Sequence, residues 1–159
     1  MNELATRIQS LLKSNDPQPL VWENVLREVL QHFQSETGTI HTLNLQEQRL
    51  HLIAQIGLPP QLMGIVQTIP VGKGIAGQVA AENRPVTICN LQTDTTGVAR
   101  PAAKQTGVGG ALCVPMRRGG KLVGTCGIGT VREYDYTAAE INLLQEIAVQ
   151  VAASPFFGA

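Results

Sequence analysis

GALCVPMRRGGKLVGTCGIGTV, residues 110–131, is the stretch on which the fold turns. Two β-prone runs, 111–116 and 122–131, flank Arg117, Arg118, Gly119, Gly120 and Lys121, and a Gly-Gly pair between such runs predicts a two-residue hairpin turn. The outer parts of both runs are apolar on alternate residues of either parity, so neither strand has a face made for water. Such strands are covered on both sides, which places the hairpin in the middle of a sheet. Counting back from a turn at Gly119-Gly120 pairs Arg118 with Lys121, Met116 with Val123, Pro115 with Gly124 and Cys113 with Cys126. That register predicts two thiols in contact on one face, reduced rather than bonded in a reducing cytosol. A register shifted by one residue would put the two sulfurs on opposite faces. Arg117, Arg118 and Lys121 read as a solvated turn.

Working outward from the hairpin, residues 3–13 carry Leu4, Ile8, Leu11 and Leu12 at helical spacing, a narrow amphipathic stripe. Asn15-Asp16-Pro17-Gln18-Pro19 breaks the chain. The next helix buries Val21, Trp22, Val25, Leu26, Val29, Leu30 and Phe33 on one side, with Trp22 a core residue rather than a ligand-stacking ring. Strands follow at 38–45 and 49–56, the second with Leu50, Leu52, Ala54 and Ile56 expected on one face and His51 on the other. Residues 57–67 form a short helix or loop across the sheet. Asn83 and Pro85 end a helix that starts at Ile75, and 86–91 is a further strand. Residues 92–109 are a long loop rich in Gly, Thr and Ala, open to two readings, a lid or an exposed surface helix around 99–105. The last helix is signalled by Thr137 and Glu140, a T-x-x-E capping box, with Tyr136 and Ile141 placed for a hydrophobic staple. Ser154-Pro155 stops it, leaving a Phe156-Phe157 tail whose role the sequence does not disclose.

Gly72, Gly74 and Gly77 spell G-x-G-x-x-G with Asp94 downstream, the outline of a dinucleotide-binding turn. A dinucleotide fold needs a long buried strand before the glycines and parallel β-α-β units after them. Here Pro70 interrupts the preceding run and a hairpin follows, so the glycines are better explained by a tight turn and close helix packing. A P-loop is excluded because Lys73 is followed by Gly74 rather than Ser or Thr.

Composition bounds the rest. The chain has 159 residues, enough for one well-buried core but not two ordinary domains, so residues 1–159 are expected to form one domain with its core at 21–153. Lys plus Arg and Asp plus Glu stand at 12 each, without the basic excess of a dedicated nucleic-acid binder. No apolar run is long enough to cross a bilayer and no signal segment opens the chain, from which a cytoplasmic location is expected. Cys89, Cys113 and Cys126 have no C-x-x-C spacing, and His32, His41 and His51 lie in separate elements, so no metal site and no cofactor are expected.

Taken in order, Ile56-Gly57, Gly72-Lys73-Gly74-Ile75-Ala76-Gly77, Pro85-Val86, Val114-Pro115-Met116, Gly119-Gly120, Val123-Gly124 and the stretch 136–144 resemble the motifs of a GAF domain, over about residues 21–153. The resemblance implies an α+β, profilin-like three-layer fold. It has a central antiparallel sheet in strand order 2-1-5-4-3, helices on one face, and a small-molecule pocket on the other under the helix from Ile75 and the 92–109 loop. It implies a sensory or regulatory role, and no catalysis is expected because the residues that would carry it are missing. A degenerate interaction module and, further off, a free methionine sulfoxide reductase are the alternatives. The Asn-Lys-Phe-Asp-Glu signature of cyclic-nucleotide binders is missing, and Cys89 is followed by Asn90 rather than by the His of a bilin attachment site. The reductases that share the fold carry one cysteine inside the glycine motif and another in the loop, where this chain has Ala76 and no cysteine. For a pocket ligand, Lys73, Arg100 and Lys104 would favour an anion, Ile75, Val79 and Thr95 would line the cavity, and Asp94 completes the candidate set. The narrow stripe of residues 1–14 and the wide apolar arc of the last helix suggest a homodimer built from these two helices.

Overall fold

In the computed structural model, which describes residues 2–158, the chain folds into a six-stranded antiparallel sheet between two layers of helix and loop. Helix α1, Glu3–Leu12, starts on Asn2, whose Oδ1 accepts from the Leu4 N–H at 2.7 Å. Helix α2, Gln18–Phe33, begins after Pro17 and closes on Gln34 in the left-handed region. Strands β1, Thr37–Asn44, and β2, Arg49–Ile56, form a hairpin. A 3-10 turn at Pro60–Leu62 and a single helical turn α3, Met63–Val66, lead to a short strand β3, Thr68–Pro70. Helix α4 is Gly74–Glu82 and strand β4 is Val86–Ile88. After a 3-10 segment at Pro101–Thr106 come β5, Gly110–Arg118, β6, Lys121–Thr130, and helix α5, Ala138–Ala152.

The sheet order is β3-β2-β1-β6-β5-β4. The five expected strands stand in the expected order. The sixth, β3, adds itself outside β2, where Pro70 is tolerated because an edge strand needs no N–H on its outer side. Between β1 and β5, the long β6 lies near the middle, as its two apolar faces require.

The β5–β6 hairpin departs from the expected register at one point. Gly119 and Gly120 have φ of 58° and 81°, the left-handed pair a two-residue type I′ turn demands, and Arg118 pairs with Lys121. One step further the register shifts: Arg117 faces Leu122 but Met116 faces Gly124, leaving Val123 as a bulge residue. Cys126 is therefore opposite Val114, and Cys113 opposite Gly127. The expected Cys113–Cys126 pair does not form, although the turn has the expected length. Cys126 joins the core beneath the helices, while Cys113 looks to the other side of the sheet.

A second bulge splits the expected face of β2. Ile40 pairs with Ala54 but His41 with Leu52, so Ile53 is extra. Paired residues share a face, so Ala54 and Ile56 lie under the helices with Ile40 and Gly38. Leu52 and Leu50 turn to the opposite side with His41 and Leu43. His51 remains apart from them and its Nε2 meets Glu47 Oε1 at 2.7 Å, a half-exposed pair.

Helices α1, α2 and α5 cover one face with a continuous core that includes Leu26, Val29, Ile40, Val114, Leu144, Ile147 and Val151. The tail closes this core. Phe157 is 1% exposed and meets Trp22 edge-on at 5.8 Å, and Arg118 donates to the carbonyls of Ala152 (2.8 Å), Ser154 (3.2 Å) and Phe157 (2.9 Å). Arg117 donates to Asn83 Oδ1 at 2.7 Å and to the Asn83 carbonyl, holding the end of α4. Both arginines are thus clamps rather than a solvated turn. Leu4, Ala5 and Ile8 of α1 are completely buried against this layer, so the stripe that suggested an intermolecular contact is covered within the chain.

Candidate functional site

On the other face of the sheet, small residues leave room. Along β1, Thr37, Thr39 and His41 alternate toward this side, opposite Gly129, Gly127 and Thr125 of β6. A Cβ on Gly129 would come within 2.6 Å of Thr37 Oγ1 and 2.9 Å of Val108, and one on Gly127 within 3.2 Å of Thr39 Oγ1. The two glycines hold the floor low. With Ala111 and Cys113 of β5 they form the base of a cavity of about 190 Å³, more than ten times the roughly 10–15 Å³ that a single water occupies on such a measure.

The walls are apolar: Leu58, Leu62, Val66 and Ile69 on one side, Ile75, Leu91 and Val108 on the other. The roof comes from the loop after β4. Its 3-10 segment turns Ala102, Ala103 and Thr106 to the cavity while Lys104 and Gln105 face water. Gln92 straps the segment down through Nε2, donating to the Lys104 carbonyl at 3.1 Å and the Val108 carbonyl at 2.8 Å. The lid reading and the surface-helix reading thus describe two sides of one short element, wound as 3-10 rather than α.

The glycine motif places charge at the rim. Gly72 and Gly74 have φ of 93° and 68°, and a Cβ on Gly77 would stand 2.7 Å from the Pro70 carbonyl oxygen, so the motif serves a tight turn and close packing. The Arg100 side chain lies over Gly74, where an added Cβ would meet its Cγ and Cδ at 3.3 Å. Lys73 is the N-cap of α4, gives no side-chain hydrogen bond to the helix, and no acidic residue stands in the first turn. The first N–H groups of α4 therefore lack a capping acceptor beside two cations. Among the residues lining the cavity, Lys73 and Arg100 carry the only formal charges, and no carboxylate is present.

At the floor, His41 is 1% exposed. Its Nε2 is 2.9 Å from the Val66 carbonyl oxygen, and a carbonyl only accepts, so the proton sits on Nε2 and Nδ1 is a bare acceptor. Nδ1 has no partner, and neither has Thr125 Oγ1 on the neighbouring strand. Burial lowers the pKa of His41 to about 4, despite the opposing hydrogen bond to Val66, so the ring is neutral at physiological pH.

Of the residues expected from sequence to serve a ligand, Lys73, Ile75 and Arg100 line the cavity. Val79 is fully buried in the packing of α4, Lys104 points to solvent, and Asp94 and Thr95 lie in the loop outside the lining, Asp94 accepting from Thr96 Oγ1 at 2.7 Å. His41, Thr37, Thr39 and Cys113 were missed. Their signal in the sequence is the period-2 polarity of T-G-T-I-H and the alternate glycines of G-I-G, which make a hollow face only once the two strands pair. Burial pushes the Cys113 thiol strongly up and that of Cys126 up to about 12, so neither is a thiolate at neutral pH. Cys89 is exposed, away from the cavity, with Sγ 3.7 Å from Glu133 Oε1. Among the described residues no cluster of His, Cys, Asp and Glu could hold a metal.

Residues 21–154 match the sequence profile of the GAF domain. The chain belongs to the GAF family. Its fold is also similar to solved GAF folds. The GAF domain of a phosphoenolpyruvate-protein phosphotransferase from Coxiella burnetii matches with a TM-score of 0.80 at 17% identity, covering 96% of this chain and 90% of that one. Free methionine-R-sulfoxide reductase from Neisseria meningitidis, solved with its substrate, matches with a TM-score of 0.81 at 15% identity, covering 98% and 88%. The GAF domain of A. aeolicus nlh2 in an inactive state gives 0.73 at 15% identity, covering 94% and 91%. At these identities the likeness concerns the fold, which is shared by regulatory domains and an enzyme. No curated protein matches the sequence.

Proposed function

We propose that this GAF domain is a non-enzymatic sensory or regulatory module that binds a small anionic molecule in the cavity on the face of the sheet opposite α1, α2 and α5. The observation that carries the reading is the cavity: apolar walls, two cations and no carboxylate in its lining, and an uncapped helix start at its rim. Such a site rewards a compact molecule with one negative end. Against catalysis stands the chemistry of its thiols. Ala76, in the glycine motif, lines the cavity with a methyl group, and Cys113, the cysteine that reaches it, is held protonated by burial.

A thermal-shift and native mass-spectrometry screen with organic acids, amino acids and nucleotides tests the reading. The expected result is stabilisation by a subset of small acids, without turnover of methionine sulfoxide in the presence of dithiothreitol. A protein stabilised by none of them, or one that reduces methionine sulfoxide, sinks it.

Output through the helical layer is the second half of the proposal. With Leu4 and Ile8 already buried, self-association would have to use Leu20, Val149 and Phe156, which are 43%, 56% and 56% exposed. Light scattering that finds a monomer at high micromolar concentration would remove the homodimer from this reading.

A further inference from the structure

The segment that roofs the cavity is joined to the rest of the fold by very little. Among the described residues, no backbone–backbone hydrogen bond links residues 94–107 to any other part of the chain; those of Ala103 N–H to the Arg100 carbonyl (2.9 Å) and Gly107 N–H to the Lys104 carbonyl (3.3 Å) close within the segment. None of its charged side chains, Asp94, Arg100 and Lys104, has an ion-pair partner among those residues. Its apolar contacts are small as well. Ala99 and Ala103 pack on a minor cluster of Ile88, Leu91, Val108 and Ala111, apart from the main core under the helices. A segment with few buried contacts and only local hydrogen bonds opens at low cost.

Both of its ends can turn. Gly97 and Gly107 have φ of 80° and 74°, and a Cβ at either would meet nothing within 4 Å, so each has the backbone freedom and the space of a hinge. Just beyond Gly107 the chain is fixed: Val108 is 4% exposed and the Gly109 N–H donates to the Thr130 carbonyl at 2.7 Å. Gln92 is anchored on the same side, following Leu91, whose N–H donates to the Gly109 carbonyl at 2.6 Å. A side-chain amide has two N–H groups. That of Gln92 donates to the Val108 carbonyl at 2.8 Å, on the fixed side of the hinge, and to the Lys104 carbonyl at 3.1 Å, on the roof. Apart from the Val108 N–H on the adjoining Thr106 Oγ1, the bond to Lys104 is the one side-chain hydrogen bond that reaches residues 94–107 from outside among the described residues.

We propose that Gln92 is a latch and that residues 98–106 are a gate hinged at Gly97 and Gly107, so that two hydrogen bonds from one amide set how often the cavity opens. The device rests on the reading that the cavity is a binding site for its purpose, but its opening is measured without a ligand, so the two fail separately.

Hydrogen exchange read by mass spectrometry, together with N-ethylmaleimide labelling, follows the gate in the native protein. Cys113 reports from inside: it lines the cavity, is 4% exposed, and its Sγ lies 3.6 Å from where a Cβ on Gly127 would stand. Cys126, in the core under the helices, reports unfolding of the whole domain. Gln92→Ala removes the latch, and Gln92→Glu keeps its shape while turning acceptors toward two carbonyls. Both should speed amide exchange over residues 98–107 and labelling of Cys113 about fivefold, the worth of one or two partly exposed hydrogen bonds. The amides of β6 and the thiol of Cys126 should keep their wild-type rates. Unchanged exchange over residues 98–107 overturns the latch, and faster exchange with unchanged labelling of Cys113 overturns the gate. Acceleration by Gln92→Ala alone would assign the effect to lost packing, and acceleration that extends to Cys126 to general destabilisation; either overturns the proposal. If a small acid from the screen binds while both variants behave as wild type, the gate fails and cavity binding stands. If no compound binds while both variants open, the binding reading fails and the gate stands.

Discussion

His41 links the site to the stability of the fold. A histidine free in an unfolded chain titrates near 6.5, whereas burial holds it at about 4 in the folded protein. Between those values the unfolded chain binds more protons than the folded one, so stability rises with pH there and is lost as pH falls from about 6.5 toward 4. The whole effect is roughly 3 kcal/mol, to which repulsion from His51 contributes a little. Urea titrations at pH 7 and pH 4.5 should show this loss, and His41→Leu should remove most of it. An unchanged slope in the variant would assign the acid sensitivity to other groups. At the same scale, Gly127→Val should shrink the cavity floor against Thr39 and abolish ligand stabilisation while circular dichroism stays native-like.

Among the elements, α5 and the hairpin depend on few atoms. Thr137 Oγ1 accepts from the Glu140 N–H at 3.1 Å and the Glu140 carboxylate accepts from the Thr137 N–H at 2.9 Å, a complete capping box. Thr137→Ala should cost about 1 kcal/mol in denaturant unfolding. The bulge at Val123 has a chemical readout. Because it sends Cys113 and Cys126 to opposite faces, diamide should leave two slow thiols that become titratable after unfolding, with no intramolecular bond between them. A bridged peptide containing both cysteines in a digest of the folded protein would restore the plain register.

For the molecule as a whole, the C-terminal tail is a structural part of the core. Phe157→Ala should cost about 3–5 kcal/mol, as truncations of buried aromatics do. Arg118→Ala should cost less, since three carbonyls lose one shared donor but lie near water. Chemical denaturation measures both, and equal losses would mean that the clamp and the plug act as one unit. Gly124 is part of the same arrangement, because a Cβ there would meet the His41 carbonyl oxygen at 2.2 Å and the Phe157 ring at 3.0 Å. One β6 residue thus serves both the helical core and the strand that carries the cavity histidine.

What the chain determined locally was legible without coordinates. Helical stripes, the cap at Thr137, the Gly119-Gly120 turn and the central position of the hairpin follow from periods and turn chemistry within a few residues. These are the interactions that neighbours in sequence make with one another. Three things belonged to the tertiary structure alone. Nothing local marks the bulges at Val123 and Ile53, because a bulge is a relation between two strands, and each reverses the face of every residue beyond it. Phe157 and the stripe of α1 have apolar faces whose covering, by a partner or by the same chain, depends on where α2 and the hairpin already stand. The cavity arises where alternate glycines of β6 oppose threonines of β1 under a roof from residues 99–108. Empty volume has no residue of its own, so it can be read only after the strands that leave it have been brought together.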